Sequence, residues 1–325
     1  MDGAVDTPPR VTPDPARQRA AHQPGAGRSW LRTTWSDLRR QAWAFWFLAP
    51  AAIAYTVFLV WPLAQTVQYS FYDWNGITPA TPVGLENYVA AVTEPEIRSA
   101  LFRSLVFVGF YAVLPTALGL LIAGVFARIK VRGMTLFRAM IFVPQILSTV
   151  VVAVAWRWIY AEDGPLNALL ELVGLGSLTR AWLGDFTTAL PAVGLIGTWI
   201  MFGLCMVMFV AGVQKIPTDL FEAARLDGAG AVREFFAVTL PALRGEILIA
   251  MIFTTTVALR NFDIVWNTTA GGPGDSTKVP SVFIYQAAFQ SREVGSAAAI
   301  GVLLTLLILV VVGIIGLLLR DRGDS

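Results

Sequence analysis

The sequence predicts an all-α, polytopic membrane protein with about six spanning helices. Three observations carry this reading. Of 325 residues, 56% are hydrophobic and only 14% charged, whereas soluble domains lie near about 45–50% apolar and about 25% charged. The charges cluster and leave apolar runs of about 20 residues, the length a helix needs to cross a hydrocarbon core of about 30 Å. The basic residues also divide unequally between alternate loops, as chains in a bilayer require.

Residues 1–42 are rich in Pro, Arg, Ala and Gln and have no apolar period. They read as a disordered cytoplasmic tail, with no cleaved signal peptide. A first span over 43–68 then serves as an uncleaved anchor. Five more are expected at 104–127, 139–159, 190–212, 246–266 and 297–319, so the membrane domain covers 43–320 and leaves 321–325 as a short tail. Pro50, Pro62, Pro115 and Pro144 fall inside spans, where neighbouring helices can satisfy the freed carbonyls. Aromatic clusters at Trp43, Phe45, Trp46 and Phe47, and at Trp156, Trp158 and Tyr160, look like interfacial belts. With the amino terminus inside, 17 Lys and Arg residues fall on the cytoplasmic side and 5 outside. The positive-inside rule therefore places both termini, and the loop at 213–245, in the cytoplasm of a cell whose plasma (inner) membrane the chain crosses.

Composition also excludes functions. Cys205 is the single cysteine and lies in an apolar run, and the single histidine, His22, lies in the tail. That leaves no intrachain disulfide, no Cys- or His-based metal site, and no Ser–His or Cys–His catalysis. A net charge of +2 suggests no nucleic-acid partner. The strong preference for Arg over Lys fits a bacterium with a GC-rich genome. No internal repeat supports an inverted-repeat carrier.

The loop at 213–245 reads as two short helices around a turn. Thr218 is the expected N-cap of the first, with Asp219 in its first turn. On a helical wheel Leu220, Phe221 and Ala224 share one face, and Asp219, Glu222 and Arg225 another. Asp227-Gly228-Ala229-Gly230 is turn chemistry, because glycine accepts positive φ without steric cost. Val232, Phe235 and Phe236 recur at helical spacing, with Arg233 and Glu234 opposite, and Leu240-Pro241 is expected to stop the second helix. From periodicity alone, this could be an amphipathic connector lying on the membrane surface.

The spacing of the segment is more specific. Glu222, Ala223, Ala224, then Gly228, then Val238, Leu240 and Pro241 resemble the EAA signature of binding-protein-dependent ABC importer permeases. Val238 stands where that family usually has Ile. Asp227-Gly228-Ala229 resembles the carbohydrate-permease version of the motif. Gly84-Leu85-Glu86-Asn87-Tyr88, Asp163-Gly164-Pro165-Leu166-Asn167 and Thr269-Ala270-Gly271-Gly272-Pro273 resemble further family segments, and the likeness covers about 43–320. Maltose-type and glycerol-phosphate-type permeases look most similar.

The resemblance implies a type I ABC importer permease fold. It also implies that Glu222, Ala223, Ala224, Asp227, Gly228, Leu240 and Pro241 belong to coupling helices seated in a cleft of an ATP-binding subunit. Leu220, Phe221, Phe235 and Phe236 would pack on that partner or on the permease body. The implied partners are two copies of the ATP-binding subunit, a second homologous permease chain, an extracellular or lipid-anchored solute-binding protein, and membrane lipids. A phosphate-binding P-loop needs a Gly-Lys step, and none of Lys130, Lys215 and Lys278 follows a glycine. The chain itself is therefore expected to bind no cofactor and to hydrolyse nothing. ATP and Mg would be bound by the partner.

Ionisable groups at span ends are candidates for the solute path. Asn261, Phe262, Asp263 and Trp266 combine amide, carboxylate and aromatic faces, the residue types that hold sugars. Arg260 and Asp263, three apart on a helix, could pair. The implied cargo is a sugar or sugar-related solute, an oligosaccharide or a glycerol-phosphate-type compound, moved by alternating access. The alternative is an ion- or proton-coupled carrier, which would need carboxylates along its path. Asp263 and Glu246 lie near span ends instead.

Overall fold

The computed structural model describes residues 46–127 and 133–319. The two expected tails, with Trp43 and Phe45, lie outside the described residues. Contacts divide the chain after Pro62, and each part is described by itself. Residues up to Pro62 belong to α1 (Trp46–Tyr69), which carries a π-helical turn at Thr56–Val60. In this stretch Trp46, Phe47, Phe58 and Trp61 are all exposed. The surface is apolar all round, as a helix facing hydrocarbon requires.

The part from Leu63 onward is helical apart from a two-stranded antiparallel ribbon, β1 (Tyr72–Asp73) and β2 (Thr81–Pro82), with Tyr72 opposite Pro82. Asn87 fastens this ribbon by donating to the Ser70 and Tyr72 carbonyls, both at 3.0 Å. α2 (Glu86–Thr93) leads into α3 (Pro95–Phe126), a second span with a π-helical turn at Gly109–Val113. α3 starts nine residues before the expected 104, because Pro95 occupies the first helical position, where its missing N–H costs nothing.

The expected third span is two helices, α4 (Met134–Ile146) and α5 (Thr149–Ile159), bent by 98° at Leu147-Ser148. Those two residues are extended, with ψ of 145° and 133°. α6 (Pro165–Leu172) precedes α7 (Ala189–Val213), the fourth span. α8 (Thr218–Leu226) and α9 (Ala231–Ala242) build the following loop, and α10 (Arg244–Leu259) leaves α9 at 71°. The expected fifth span ended at 266. Instead α10 stops at Leu259, and a separate α11 (Asp263–Thr268) follows. α12 (Pro280–Tyr285) runs into a π-helical turn over Gln286–Ser291, and α13 (Val294–Leu319) is the last span. Among the described residues, four helices are long and apolar enough to cross a membrane, or up to six if each bent pair is one span.

α7 is the hub. Two thirds of its apolar window is buried (67%), against 6% for α13. Its glycines explain this. A Cβ on Gly197 would sit 1.9 Å from the Tyr111 ring, and one on Gly203 would sit 2.2 Å from the Ile141 carbonyl oxygen. Lipid tails are as apolar as side chains, so helices in a bilayer gain little by hiding apolar surface from lipid. They gain by close packing, which small residues permit. One core cluster gathers around Tyr111, Ile196 and Val265. A second gathers at the opposite end of α7 around Phe209, Val213 and Leu243. The second cluster is the platform for the α8–α9 loop.

Candidate functional sites: the α8–α9 loop and the paired helix breaks

The loop is built from its backbone upward. Pro217 (φ −58°, ψ 134°) is the N-cap of α8, and Thr218 is the first helical residue. The cap thus falls one residue before the expected Thr218, whose hydroxyl turns to the Asp219 carboxylate. Asp219 does occupy the first turn, where a negative charge meets the positive end of the helix dipole. Backbone bonds from Asp227 to Ala223, Gly228 to Arg225 and Ala229 to Ala224 close the other end. Gly228 has φ +75°, and a Cβ there would meet nothing within 4 Å. Glycine is needed at this position for the backbone conformation, not for space.

The first helix divides as an apex should. Glu222, Ala223, Asp227 and Gly228 are exposed, Ala224 is half-buried and Phe221 is buried. The aromatic and apolar residues named from the sequence separate into two groups. Phe221 packs inward, and Phe235 lies against α3, where a Cβ on Gly124 would stand 2.7 Å from its ring. Leu220, Leu226, Val232 and Phe236 are exposed, Leu226 by 89%. Glu234 departs from its expected polar face. It is 2% exposed, and its Oε2 lies 3.1 Å from Arg225 Nε. Leu240 joins the second core cluster and Pro241 is exposed. The helix does not stop at Leu240-Pro241 as expected. It continues through a π-helical turn, Phe235–Thr239, to Ala242, and the chain turns at the fully buried Leu243 (φ −90°, ψ 5°). Gly212 of α7 makes room for Leu243 and Glu246, and Glu246 also pairs with Lys215 at 3.5 Å.

The second site lies where the two broken spans meet. Thr149, first residue of α5, donates its hydroxyl to Asp263 Oδ2 at 3.3 Å, at the start of α11. The backbone between α10 and α11 is irregular at Arg260, Asn261 and Phe262, and the protein satisfies it. The Asn261 carbonyl accepts from the Ser281 hydroxyl at 2.8 Å, and its side-chain amide donates to Tyr111 at 3.0 Å. Non-helical backbone survives at membrane depth only when it is covered or lines a cavity.

The structure therefore separates the four sequence-named residues. Asn261 is buried, Asp263 is exposed, and Phe262 and Trp266 are half-buried with their rings stacked at 5.7 Å and 14°. Tyr285 touches both rings and hands on to Phe289. Arg260 and Asp263 form no ion pair, because the helix breaks between them and removes the i, i+3 geometry. Arg260 instead ends a groove of about 580 Å³ along α10, lined by Ile249, Ile252, Phe253, Thr256 and Val257. Tyr111, Thr149 and Tyr285 were not singled out from the sequence. Tyr111 and Thr149 meet partners 150 and 114 residues away, and Tyr285 reaches back to Phe262 and Trp266 on another helix, so no local pattern marks them.

Among the described residues, no group of three His, Cys, Asp or Glu side chains could hold a metal ion. Cys205 is buried against Thr116.

Comparison with known proteins fits this arrangement. Residues 116–323 match the family model of the binding-protein-dependent transport system inner membrane component. The "Probable ABC transporter permease protein YurN" of Bacillus subtilis is 36% identical, covering 81% of this chain and 91% of its own. The sulfoquinovosyl glycerol transport system permease protein SmoG of Agrobacterium fabrum is 31% identical over 89% and 94% of the two chains. A chain in the crystal structure of a bacterial alginate ABC transporter, in complex with an alginate pentasaccharide-bound periplasmic protein, superposes with a TM-score of 0.75. It is 20% identical and covers 90% of this chain and 98% of its own. These findings select the importer reading over the ion-coupled carrier. With its apolar helices and EAA-spaced loop, the chain belongs to the inner membrane component family of binding-protein-dependent transport systems and is an ABC importer permease subunit.

Proposed function

We propose that this permease imports a sugar or sugar-related solute, and that α8–α9 is the element through which a separate ATP-binding subunit drives it. One observation carries the second half. α8 exposes Glu222, Asp227 and Leu226 at an apex backed by buried Phe221, by Phe235 against Gly124 and by Leu243 in the second core cluster. An amphipathic surface helix would bury its apolar stripe in lipid. A docking helix must instead be held from behind and stay open in front.

Glu222 is then a polar contact to the ATPase, Leu226 and Phe236 its apolar contacts, and Gly228 the turn that sets the helix angle. Ala223 and Ala224 keep the apex slim, and Leu240 and Pro241 join the loop to α10. Two ATPase copies bind ATP and Mg. A second homologous permease completes the path, a solute-binding protein delivers cargo from outside, and both termini lie in the cytoplasm.

The carbohydrate reading rests on the relatives. SmoG is named for a sulfoquinovosyl glycerol transport system, and the structural neighbour comes from an alginate transporter. The stacked Phe262–Trp266 pair beside Asp263 supports it, since a sugar ring presents apolar C–H faces to aromatic rings and hydroxyls to carboxylates.

The test is uptake in proteoliposomes holding the whole transporter. Glu222→Lys and Leu226→Asp should abolish uptake and ATPase co-purification while the solute-binding protein still captures its ligand. Normal uptake in both variants defeats the docking role. Phe262→Ala and Trp266→Ala should raise the half-saturating solute concentration. Unchanged kinetics in both remove this wall from the route.

A further inference from the structure

We infer that Arg225 and Glu234 are a positioning pair that locks α8 to α9, so that a push on the apex reaches the spans as one rigid movement. The inference rests on the coupling role proposed for this loop. Neither residue belongs to the EAA signature, and they sit on different helices.

Glu234 is 2% exposed, on a four-residue α-helical turn that runs directly into the π-helical turn Phe235–Thr239. A carboxylate this deep is tolerated only with a charged, hydrogen-bonded partner. Arg225 supplies one through Nε at 3.1 Å, from the last turn of α8. Between them lies the stretch from Asp227 to Gly230. Gly228 is left-handed there, and Gly230 is extended (φ −73°, ψ 176°). Two glycines in three residues make a backbone hinge rather than a strut. The ion pair spans that hinge from side to side.

Behind Glu234, Phe235 is seated on Gly124 of α3 and Thr239 is buried. The line of force therefore runs from the exposed apex through Arg225 and Glu234 to Phe235 and the second span. Arg225 is half exposed. Two-state mechanical elements of this kind modulate coupling by fractions of an order of magnitude upward.

The test measures solute moved per ATP hydrolysed in proteoliposomes holding the whole transporter and its binding protein. Arg225→Gln and Glu234→Gln should each keep the ATPase bound and hydrolysing while solute moved per ATP falls about fivefold to tenfold. The double variant R225Q/E234Q should lose no more than either single variant, because all three break the same bond. A role in folding or assembly alone would lower uptake and hydrolysis together and leave their ratio unchanged. Unchanged ratios in both single variants, or a double variant that is additive, overturn the proposal. If E234Q does not assemble, R225Q decides the matter alone, since its side chain is half exposed. Failure of the coupling role itself shows separately, as normal uptake in Glu222→Lys.

Discussion

The side-chain amide of Asn261 donates to the hydroxyl of Tyr111 at 3.0 Å, joining the α10–α11 break to the π-helical turn of α3. Both residues are buried, Asn261 at 7% and Tyr111 at 2% exposure. The bond thus closes two irregularities against each other. Tyr111→Phe removes the acceptor and leaves a buried amide short of a partner, at a cost of about 1–3 kcal/mol. The expected result is a lower unfolding midpoint in detergent with uptake per folded transporter little changed. An unchanged midpoint shows that the bond does not hold the break.

Gly197 lies under the same ring. A Cβ at this position would come within 1.9–2.3 Å of three Tyr111 ring atoms, and the ring has no exposed side toward which to move. Gly197→Ala should destabilise by about 1–3 kcal/mol or more, read as loss of monodisperse protein on size-exclusion chromatography. Gly316→Ala in α13 meets nothing within 4 Å and should behave as wild type, or better through helix propensity. Equal behaviour of the two variants would contradict the packing described for α7.

At Gly228 the demand is conformational. With φ at +75° and open space around it, Gly228→Ala costs about 1–2 kcal/mol of left-handed strain and should reduce uptake without abolishing it. Gly228→Pro forces φ to about −65° and should abolish uptake while the solute-binding protein still captures ligand. Retained uptake in the proline variant would show that the turn angle is immaterial.

Asp185 supplies a pH dependence. Its carboxylate accepts from the Thr187 hydroxyl, the Thr187 amide at 2.7 Å and the Thr188 amide at 3.3 Å. The Thr187 hydroxyl and amide bonds hold its pKa below the ordinary carboxylate value. A depressed pKa contributes stability that is present above the ordinary value and lost as pH falls through the depressed one. Protection of the Thr187 and Thr188 amides from hydrogen exchange should fade over that acid interval. In Asp185→Asn the fade should be absent, and a wild-type-like profile there would rule out Asp185 as the titrating group.

Local chemistry made several features legible. Apolar run length marked the long apolar helices, and the turn residues at Asp227-Gly228 located the two-helix apex. Both depend on residues close in sequence. The bends of 98° and 71° were not legible, because Leu147 and Leu243 carry no local signal for them. Pro144 and Pro241 stand nearby, but each is accommodated within helix, and the turns fall on later residues, the exposed Leu147-Ser148 and the buried Leu243. Glu234 misled for the same reason: on a helical wheel it faces solvent, yet it is buried and meets Arg225 from across the glycine hinge.

From the sequence alone came the membrane class, the apolar runs and the exposed glutamate of the EAA-spaced segment. These follow from hydrophobicity and short-range stereochemistry, which act wherever a segment sits. The tertiary structure decided which aromatics turn inward, that Asn261 is buried structure while Asp263 stays open, and that Arg225 reaches Glu234. Those outcomes depend on contacts across the chain, where packing volume and the cost of an unpaired buried polar group choose among partners that periodicity cannot rank.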